Sequence, residues 1–218
     1  MNIGLLGTGS VGKTIGTRLV ELGHSVKMGS RTLDNPNAVA WVRVNGGLAM
    51  HGSYAEAAHF GELLFNCTSG RGSLSALELI KHADLNHKIL IDLANPLDYS
   101  RGGPPTLTVC NTDSLGEQIQ REHKLLRVVK ALNTMNVDVM VNPGLVPGNH
   151  DVLICGNDAD AKAKVTMILT EWFGWKSVID LGDISASRGM EMVLPLWISL
   201  WSKMGSTHFN FHIAKQNS

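Results

Sequence analysis

The sequence predicts an α/β fold with a doubly wound, mostly parallel sheet and a small α/β C-terminal lobe. Short apolar runs alternate with helical patterns along the chain, which is typical of βαβ units. A glycine motif follows directly after the first apolar run, where a strand would turn into a helix. The length of 218 residues suits one compact unit with a small appendage.

The first part of the chain is predicted to hold five strands and the helices between them. Residues 3–6 form the first strand, and in the next helix Ile15 and Leu19 share an apolar face that ends near Gly23, a suitable C-terminal cap. Further strands are expected at residues 25–28, 48–50, 63–66 and 89–93, and further helices at 37–45, 54–58 and 74–83. The strand at 89–93 is apolar except for Asp92, as expected of a strand covered on both faces.

The second part begins with residues 95–111, which are rich in Pro and Gly and are predicted to form a long loop. Strands are expected at residues 127–132, 151–155 and 177–181, and helices at 114–122, 159–173 and 187–203. Pro195 is expected to kink the last helix, because proline removes the hydrogen bond to the carbonyl of Glu191.

Composition and charge exclude several classes of partner. Apolar residues make up 44% and charged residues 17%, the formal net charge is zero, and no basic run is present. We therefore expect neither a nucleic-acid nor a membrane partner. The 3 cysteines are far apart, which argues against a metal site or a disulfide framework and favours a reducing compartment. No signal-peptide pattern and no apolar run of about 18 residues is visible, so we expect a cytoplasmic protein.

The glycine motif predicts a dinucleotide site of the Rossmann type. Its residues are Gly7, Thr8, Gly9, Ser10, Val11 and Gly12. The first glycine allows a tight turn, the second lets the backbone approach a pyrophosphate, and the third lets helix and strand pack closely. The helix N-terminus then presents free N–H groups to the phosphates. The alternative is a purely structural glycine turn.

The end of the second strand favours NADP(H) over NAD(H). Enzymes that prefer NAD have an acidic residue here for the ribose 2′-hydroxyl, whereas this chain has Ser30, Arg31 and Thr32. A guanidinium flanked by hydroxyls suits a 2′-phosphate. The alternative is that Arg31 is a solvated loop charge that stacks on adenine.

Residues that follow the later strands are candidates for the nicotinamide end, because ligands bind outside the carboxyl ends of open α/β sheets. These candidates are Cys67, Thr68, Ser69, Asn95, Pro96, Ala131 and Asn133. The amides of Asn95 and Asn133 suit a carboxamide, although turn or cap roles are also open to them.

No catalytic side chain is predicted. The 9 histidines are scattered, and no nucleophile–histidine arrangement is visible. This absence fits a hydride passed directly between two rings, which needs reacting carbons about 3–3.5 Å apart more than it needs a proton donor.

Several segments together resemble a known family. They are Ser30-Arg31-Thr32, Asn95-Pro96 and residues 129–134, 152–158, 186–188 and 191–197. With the glycine motif, the sequence resembles the NADP oxidoreductases that depend on the deazaflavin coenzyme F420. It is similar, too, to the oxidoreductase domain of six-transmembrane metalloreductases, which pass electrons from NADPH to a flavin.

The resemblance implies roles for particular residues. Thr8, Ser10 and Val11 would hold the pyrophosphate, Ser30 and Arg31 the 2′-phosphate, and the backbone of Ala131 the nicotinamide amide. It also implies an NADP-binding domain at residues 1–150, a lobe at 151–218 that completes the acceptor pocket, and a homodimer. Residues 69–73 differ from the deazaflavin enzymes, so the acceptor stays open between a deazaflavin and a flavin.

Three hypotheses for function follow. The first is NADPH-dependent hydride transfer to a deazaflavin, a flavin or a flavin-like small molecule. The second is a non-catalytic NADP(H)-binding redox sensor, suggested by the lack of proton-transfer residues. The third is a small imine or hydroxyacid reductase, although such enzymes usually add a long helical domain. In the last helix, Trp197 and Trp201 are the best candidates for contact with an acceptor ring, and core packing is the alternative.

Overall fold

A central sheet runs through the protein, and the computed structural model describes residues 1–216. The strands, in chain order, are β1 (Asn2–Leu6), β2 (Ser25–Ser30), β3 (Ala49–Ser53), β4 (Leu63–Asn66), β5 (Ile89–Asp92), β6 (Leu97–Asp98), β7 (Thr106–Leu107), β8 (Arg127–Ala131), β9 (Val152–Gly156) and β10 (Val178–Asp180). Eight of them form the sheet in the order β10-β9-β8-β5-β4-β1-β2-β3, while β6 and β7 form a separate hairpin.

Every neighbouring pair of strands in this sheet is parallel except β8 and β9, which are antiparallel. The predicted doubly wound, mostly parallel α/β fold is therefore confirmed. Strands β9 and β10 come from the last third of the chain and extend the same sheet beside β8. The division into domains at residue 150 stays a prediction.

The helices cover both faces of the sheet. They are α1 (Ser10–Glu21), α2 (Pro36–Asn45), α3 (Tyr54–Phe60), α4 (Gly70–Glu78), α5 (His82–Leu85), α6 (Leu115–Glu122), α7 (Val137–Val141), α8 (Ala159–Met167) and α9 (Ser187–Met204). Successive residues of the inner strands point to opposite faces of the sheet. Leu5 and Leu6 are therefore both fully buried, each in a different core. Burial on both faces explains the continuous apolar runs in the sequence.

Three predicted elements need correction, and one observed helix was not predicted. The helix expected at 74–83 is instead two helices, α4 and α5, because the chain bends to bury Leu77, Ile80 and Leu85 in one core. The helix expected at 159–173 is α-helical only as α8 and continues as a π-helix over Ile168–Trp172. The loop expected at 95–111 contains the β6–β7 hairpin.

The helix that was not predicted is α7. It is short and rich in β-branched residues, which are poor helix formers. Its N-cap, Asn136, accepts a hydrogen bond from the amide of Asp138, and its buried residues Val139 and Met140 pack in the core beside α1. Tertiary packing therefore outweighs the local preference.

The C-terminal segment ends in a long helix and a short irregular tail. Helix α9 continues through Pro195 as far as Met204, and the tail beyond it returns to β9, where the amide of Asp151 donates to the carbonyl of Phe211. Within residues 1–216, no helix combines the length and the apolar character needed to cross a membrane.

Candidate functional site

The predicted site residues all lie at or just after the carboxyl ends of strands β1, β2, β4, β5 and β8. These residues are Gly7, Thr8, Gly9, Ser10, Val11, Gly12, Ser30, Arg31, Thr32, Cys67, Thr68, Ser69, Asn95, Pro96, Ala131 and Asn133. Because these five strands run parallel to one another, their carboxyl ends meet at one edge of the sheet. Residues from distant parts of the sequence are thus brought to one edge, as expected for a ligand site on an open α/β sheet.

The three motif glycines differ in what surrounds them. Gly7 has a φ of +122°, and a Cβ there would lie 2.5 Å from the carbonyl oxygen of Cys67. A Cβ on Gly12 would clash with the carbonyl oxygen of Gly7. A Cβ on Gly9, by contrast, would meet no heavy atom within 4 Å. Gly7 therefore allows the close approach of the chain after β4, Gly12 allows the close approach of α1 to the end of β1, and Gly9 borders open space.

That open space adjoins the N-terminus of α1. Gly9 is the N-cap and has no side chain with which to cap the helix, and the first turn contains no acidic residue. The first-turn N–H groups of Ser10, Val11 and Gly12 remain available to a ligand, with the positive end of the helix dipole behind them. This edge of the protein is therefore suited to bind an anion such as a pyrophosphate.

The end of β2 lies beside the end of β3. Ser30 is buried and its hydroxyl donates to the carbonyl of Thr32, while Arg31 and Thr32 are exposed. Burial raises the pKa of the phenol of Tyr54, the first residue of α3, and the positive charge of Arg31 partly offsets that rise. The exposed guanidinium of Arg31 is therefore open to a ligand.

The residues after β4 are used mainly within the protein. Cys67 is buried, and burial raises the pKa of its thiol, so this cysteine is a packing residue rather than a nucleophile. The hydroxyl of Thr68 donates to Oδ1 of Asn66 over 2.7 Å. Ser69 is exposed at the N-terminus of α4 and makes no capping hydrogen bond with its side chain.

Asn95 and Asn133 bond to each other across the carboxyl ends of β5 and β8. Nδ2 of Asn95 donates to the carbonyl of Asn133 over 2.8 Å, and Nδ2 of Asn133 donates to Oδ1 of Asn95 over 2.9 Å. Asn133 also donates to the carbonyl of Met190 in α9 over 3.1 Å, which leaves its Oδ1 buried without a partner. Between Ala131 and Asn133 the backbone of Leu132 has a φ of +63°, a strained conformation of the kind that often occurs at ligand sites.

Sequence reasoning missed a buried ionic cluster behind these residues. Lys130 is fully buried, and its Nζ lies 2.8 Å from Oδ2 of Asp92 and 2.8 Å from Oε1 of Glu191. Burial alone would lower the pKa of Lys130, but the two carboxylates outweigh that effect and raise it. The cluster joins β5 and β8 to α9, and Asn133 reaches the same helix through the carbonyl of Met190, the residue before Glu191.

The two tryptophans of α9 stand in different surroundings. Trp197 is buried and stacks on Phe209 of the tail, with ring centroids 5.3 Å apart, and its indole N–H is buried without a partner. Trp201 is 46% exposed, and its ring centroid lies 5.9 Å from that of Trp197. The predicted contact of these rings with an acceptor stays a prediction, and one face of Trp197 is covered by Phe209.

Comparison with known proteins gives the same family by several routes. Residues 2–96 match the sequence profile of the family described as NADP oxidoreductase coenzyme F420-dependent. The chain is similar to a protein from Arthrobacter sp. FB24 proposed to be an F420-dependent NADP reductase, whose crystal structure shares 47% identity at a TM-score of 0.93. That alignment covers 98% of this chain and 99% of the other.

Two curated relatives are similar over shorter parts of their own lengths. The F420-dependent NADP reductase of Methanocaldococcus jannaschii is 31% identical over 146 residues, which are 66% of this chain and 64% of that protein. Metalloreductase STEAP3 of Rattus norvegicus is 30% identical over 199 residues, which are 89% of this chain and 37% of that protein. The chain thus spans less than two thirds of the length of either relative.

Proposed function

Because the chain belongs to the family of coenzyme F420-dependent NADP oxidoreductases, we propose that it transfers a hydride between NADPH and a deazaflavin, flavin or flavin-like acceptor. The observation that carries the proposal is the space beside Gly9. It lies between two glycines that the fold itself requires, at an uncapped helix N-terminus, and on the same edge as Arg31.

The residues of the glycine loop bind the pyrophosphate in this proposal. The backbone N–H groups of Thr8, Ser10 and Val11 face the phosphates, and the absence of a side chain on Gly9 allows their close approach. Arg31 pairs with the 2′-phosphate, supported by the hydroxyls of Ser30 and Thr32, because a guanidinium can donate two parallel hydrogen bonds to one phosphate.

The nicotinamide end lies beyond β4, β5 and β8. The backbone of Ala131 holds the carboxamide, and the unpartnered Oδ1 of Asn133 is an acceptor suited to an amide N–H. The Asn95–Asn133 pair fixes the two loops on either side of this position. Cys67, Thr68, Ser69 and Pro96 line the same edge, where the first two are held by packing and by internal hydrogen bonds.

NADPH supplies a hydride, one proton with two electrons, and the acceptor gains a further proton from solvent to complete its reduction. The protein's contribution is then to bind and orient both rings and to exclude water from between them. No acid or base is assigned to this chemistry. No residue is therefore assigned a catalytic role in this proposal. The rate of hydride transfer depends on how precisely the two binding sites position the rings.

The assembly and location of the protein are further parts of the proposal. Helix α9 exposes the large apolar residues Met192, Leu196, Trp201 and Met204. Such a surface supports a homodimer in which residues 151–218 complete the acceptor pocket of an NADP-binding domain at 1–150. The cysteines are free, which supports a reducing compartment, the cytoplasm, and the balanced charge supports a small-molecule partner rather than nucleic acid or membrane.

The test is to mix the purified protein with NADPH or NADH and to follow the loss of the nicotinamide absorbance with deazaflavin, FMN and FAD as separate acceptors. Rapid oxidation of NADPH with one of the three, and slow oxidation of NADH, supports the proposal and identifies the acceptor. Tight binding of NADPH without oxidation by any acceptor would instead favour the redox sensor.

A further inference from the structure

Asn66, Asp92 and Lys130 form a polar row across the otherwise apolar sheet. The strand register pairs Asn66 of β4 with Asp92 of β5, and Asp92 with Lys130 of β8. Residues in register on parallel strands point to the same face, which here is the face covered by α6 and α9. Each of the three side chains is 0% exposed. Glu191 of α9, 1% exposed, completes the group, which we call the buried cluster.

The hydrogen bonds of Lys130 fix its protonation state. An ammonium group has three hydrogens, and Nζ of Lys130 has three acceptors. These acceptors are Oδ2 of Asp92 at 2.8 Å, Oε1 of Glu191 at 2.8 Å and the carbonyl of Ala94 at 2.5 Å. The lysine is therefore charged and fully satisfied.

Each hydrogen-bond partner of the Asp92 carboxylate is a donor, so the carboxylate acts only as an acceptor. Besides Lys130, it accepts from Nδ2 of Asn66 over 2.8 Å and from the amide of Ala94 over 3.2 Å. The orientation of Asn66 is settled by its Oδ1, which accepts from the amide and the hydroxyl of Thr68. A protonated carboxyl would need an acceptor for its own hydrogen, and Asp92 faces none, so it is ionised.

Glu191, like Asp92, faces only donors. Besides Lys130, its oxygens accept from the amides of Leu115 over 2.9 Å and Gly116 over 3.1 Å, at the first turn of α6. Glu191 is therefore ionised too, stabilised by the positive end of that helix. Two carboxylates and one ammonium leave the buried cluster with a net charge of −1.

The groups that pack against the cluster do not cancel this charge. Cys155 of β9 is in register with Lys130, and burial raises the pKa of its thiol to about 12, so it is neutral. Glu117 and Arg188 lie nearby on α6 and α9, but they pair with each other through two hydrogen bonds and add no net charge.

We infer that the buried cluster favours the oxidised, cationic nicotinamide over the reduced, neutral one and so makes bound NADPH a stronger hydride donor; this inference rests on the proposed function. Lys130 directly precedes Ala131, and Asp92 lies three residues before Asn95, so the cluster is placed behind the nicotinamide end. A unit charge about 10 Å away, at an effective dielectric constant of about 20, shifts the preference between the two forms on the order of tenfold.

The experiment compares the dissociation constants of NADP⁺ and NADPH, each measured separately by calorimetry, in the wild type and in three variants of the cluster. Asp92→Asn and Glu191→Gln each remove one negative charge from opposite sides of Lys130. We expect each variant to weaken NADP⁺ relative to NADPH on the order of tenfold. Glu191→Ala is the third variant. It removes the same charge as Glu191→Gln but does not place an amide NH₂ against the N–H groups at the start of α6.

The control variant is Glu21→Gln, which removes the same charge from an exposed ion pair with Arg18 at the C-terminal end of α1. Its ratio of dissociation constants should equal that of the wild type. If the cluster variants weaken NADP⁺ and NADPH by the same factor, the cluster has only a structural role and the inference is overturned. If the wild type binds neither form, the proposed function fails instead, so the two failures are distinguishable.

Discussion

The substitution Gly9→Ala should separate ligand binding from stability. Gly9 has φ −76° and ψ −172°, a conformation that alanine adopts readily, and its Cβ would meet no heavy atom within 4 Å. A glycine replaced by alanine at a compatible position gains about 0.4–1 kcal/mol of stability through the unfolded state. Alanine is a poorer N-cap than glycine by a similar amount, so the net change in unfolding free energy should be near zero.

The effect of Gly9→Ala on the free energy of NADPH binding should be much larger than its effect on stability. The added methyl group would occupy the space through which the phosphates approach the first turn of α1. Loss of one charge-assisted hydrogen bond costs about 1.5–3 kcal/mol, which raises the dissociation constant of NADPH about tenfold to a hundredfold. The matched substitution Gly12→Ala places its methyl group against the carbonyl oxygen of Gly7 and should lower stability by about 1–3 kcal/mol or more.

The assay pairs thermal unfolding without ligand with calorimetric titration of NADPH. Gly9→Ala should unfold at the wild-type temperature and bind NADPH weakly, whereas Gly12→Ala should unfold at a lower temperature. Binding of NADPH by Gly9→Ala with wild-type affinity, or a loss of stability as large as that of Gly12→Ala, would contradict this role of Gly9.

Three other predictions follow from single contacts. Arg31→Ala should raise the dissociation constant of NADPH on the order of tenfold and leave that of NADH unchanged, with exposed Arg43→Ala as the control; equal effects on both nucleotides would count against a 2′-phosphate site. Hydrogen bonds from Arg121 lower the pKa of Asp113 to about 2. The small stability that Asp113 contributes, about 1 kcal/mol or less, should therefore be present at neutral pH and be lost as pH falls from about 4 to about 2, so unfolding curves of Asp113→Asn and wild type should converge there. Ellman's reagent should label exposed Cys110 at once in the native protein and the two buried cysteines only after unfolding.

Local patterns were sufficient to predict most of the sheet and the glycine loop. Strand β4 was predicted at its observed bounds, because a short apolar run between turn signals has few other solutions. The glycine motif was placed correctly for the same reason, since a tight turn, a close approach and a helix start each constrain one position. The direction of a strand could not be predicted in the same way, because nothing in residues 151–155 indicates that β9 runs antiparallel to β8.

The buried cluster could be predicted only in part. Asp92 and Lys130 interrupt apolar strands, and a charge within a buried strand must be paired. Their shared partner, Glu191, comes from a helix about 60 residues beyond Lys130 in the sequence, and only the topology brings it there. The Asn95–Asn133 pair is similar: each residue was expected at the site, but their bond to each other depends on β5 and β8 being neighbours.

The central claim is that the open space beside Gly9 and the free guanidinium of Arg31 together form an NADP(H) site. The most direct test is calorimetric titration of the wild-type protein with NADPH and, separately, with NADH at the same pH and ionic strength. We expect NADPH to bind at least about tenfold more tightly, because only NADPH has a 2′-phosphate to pair with Arg31. Equal affinity for the two nucleotides, or no binding of either, would contradict the account.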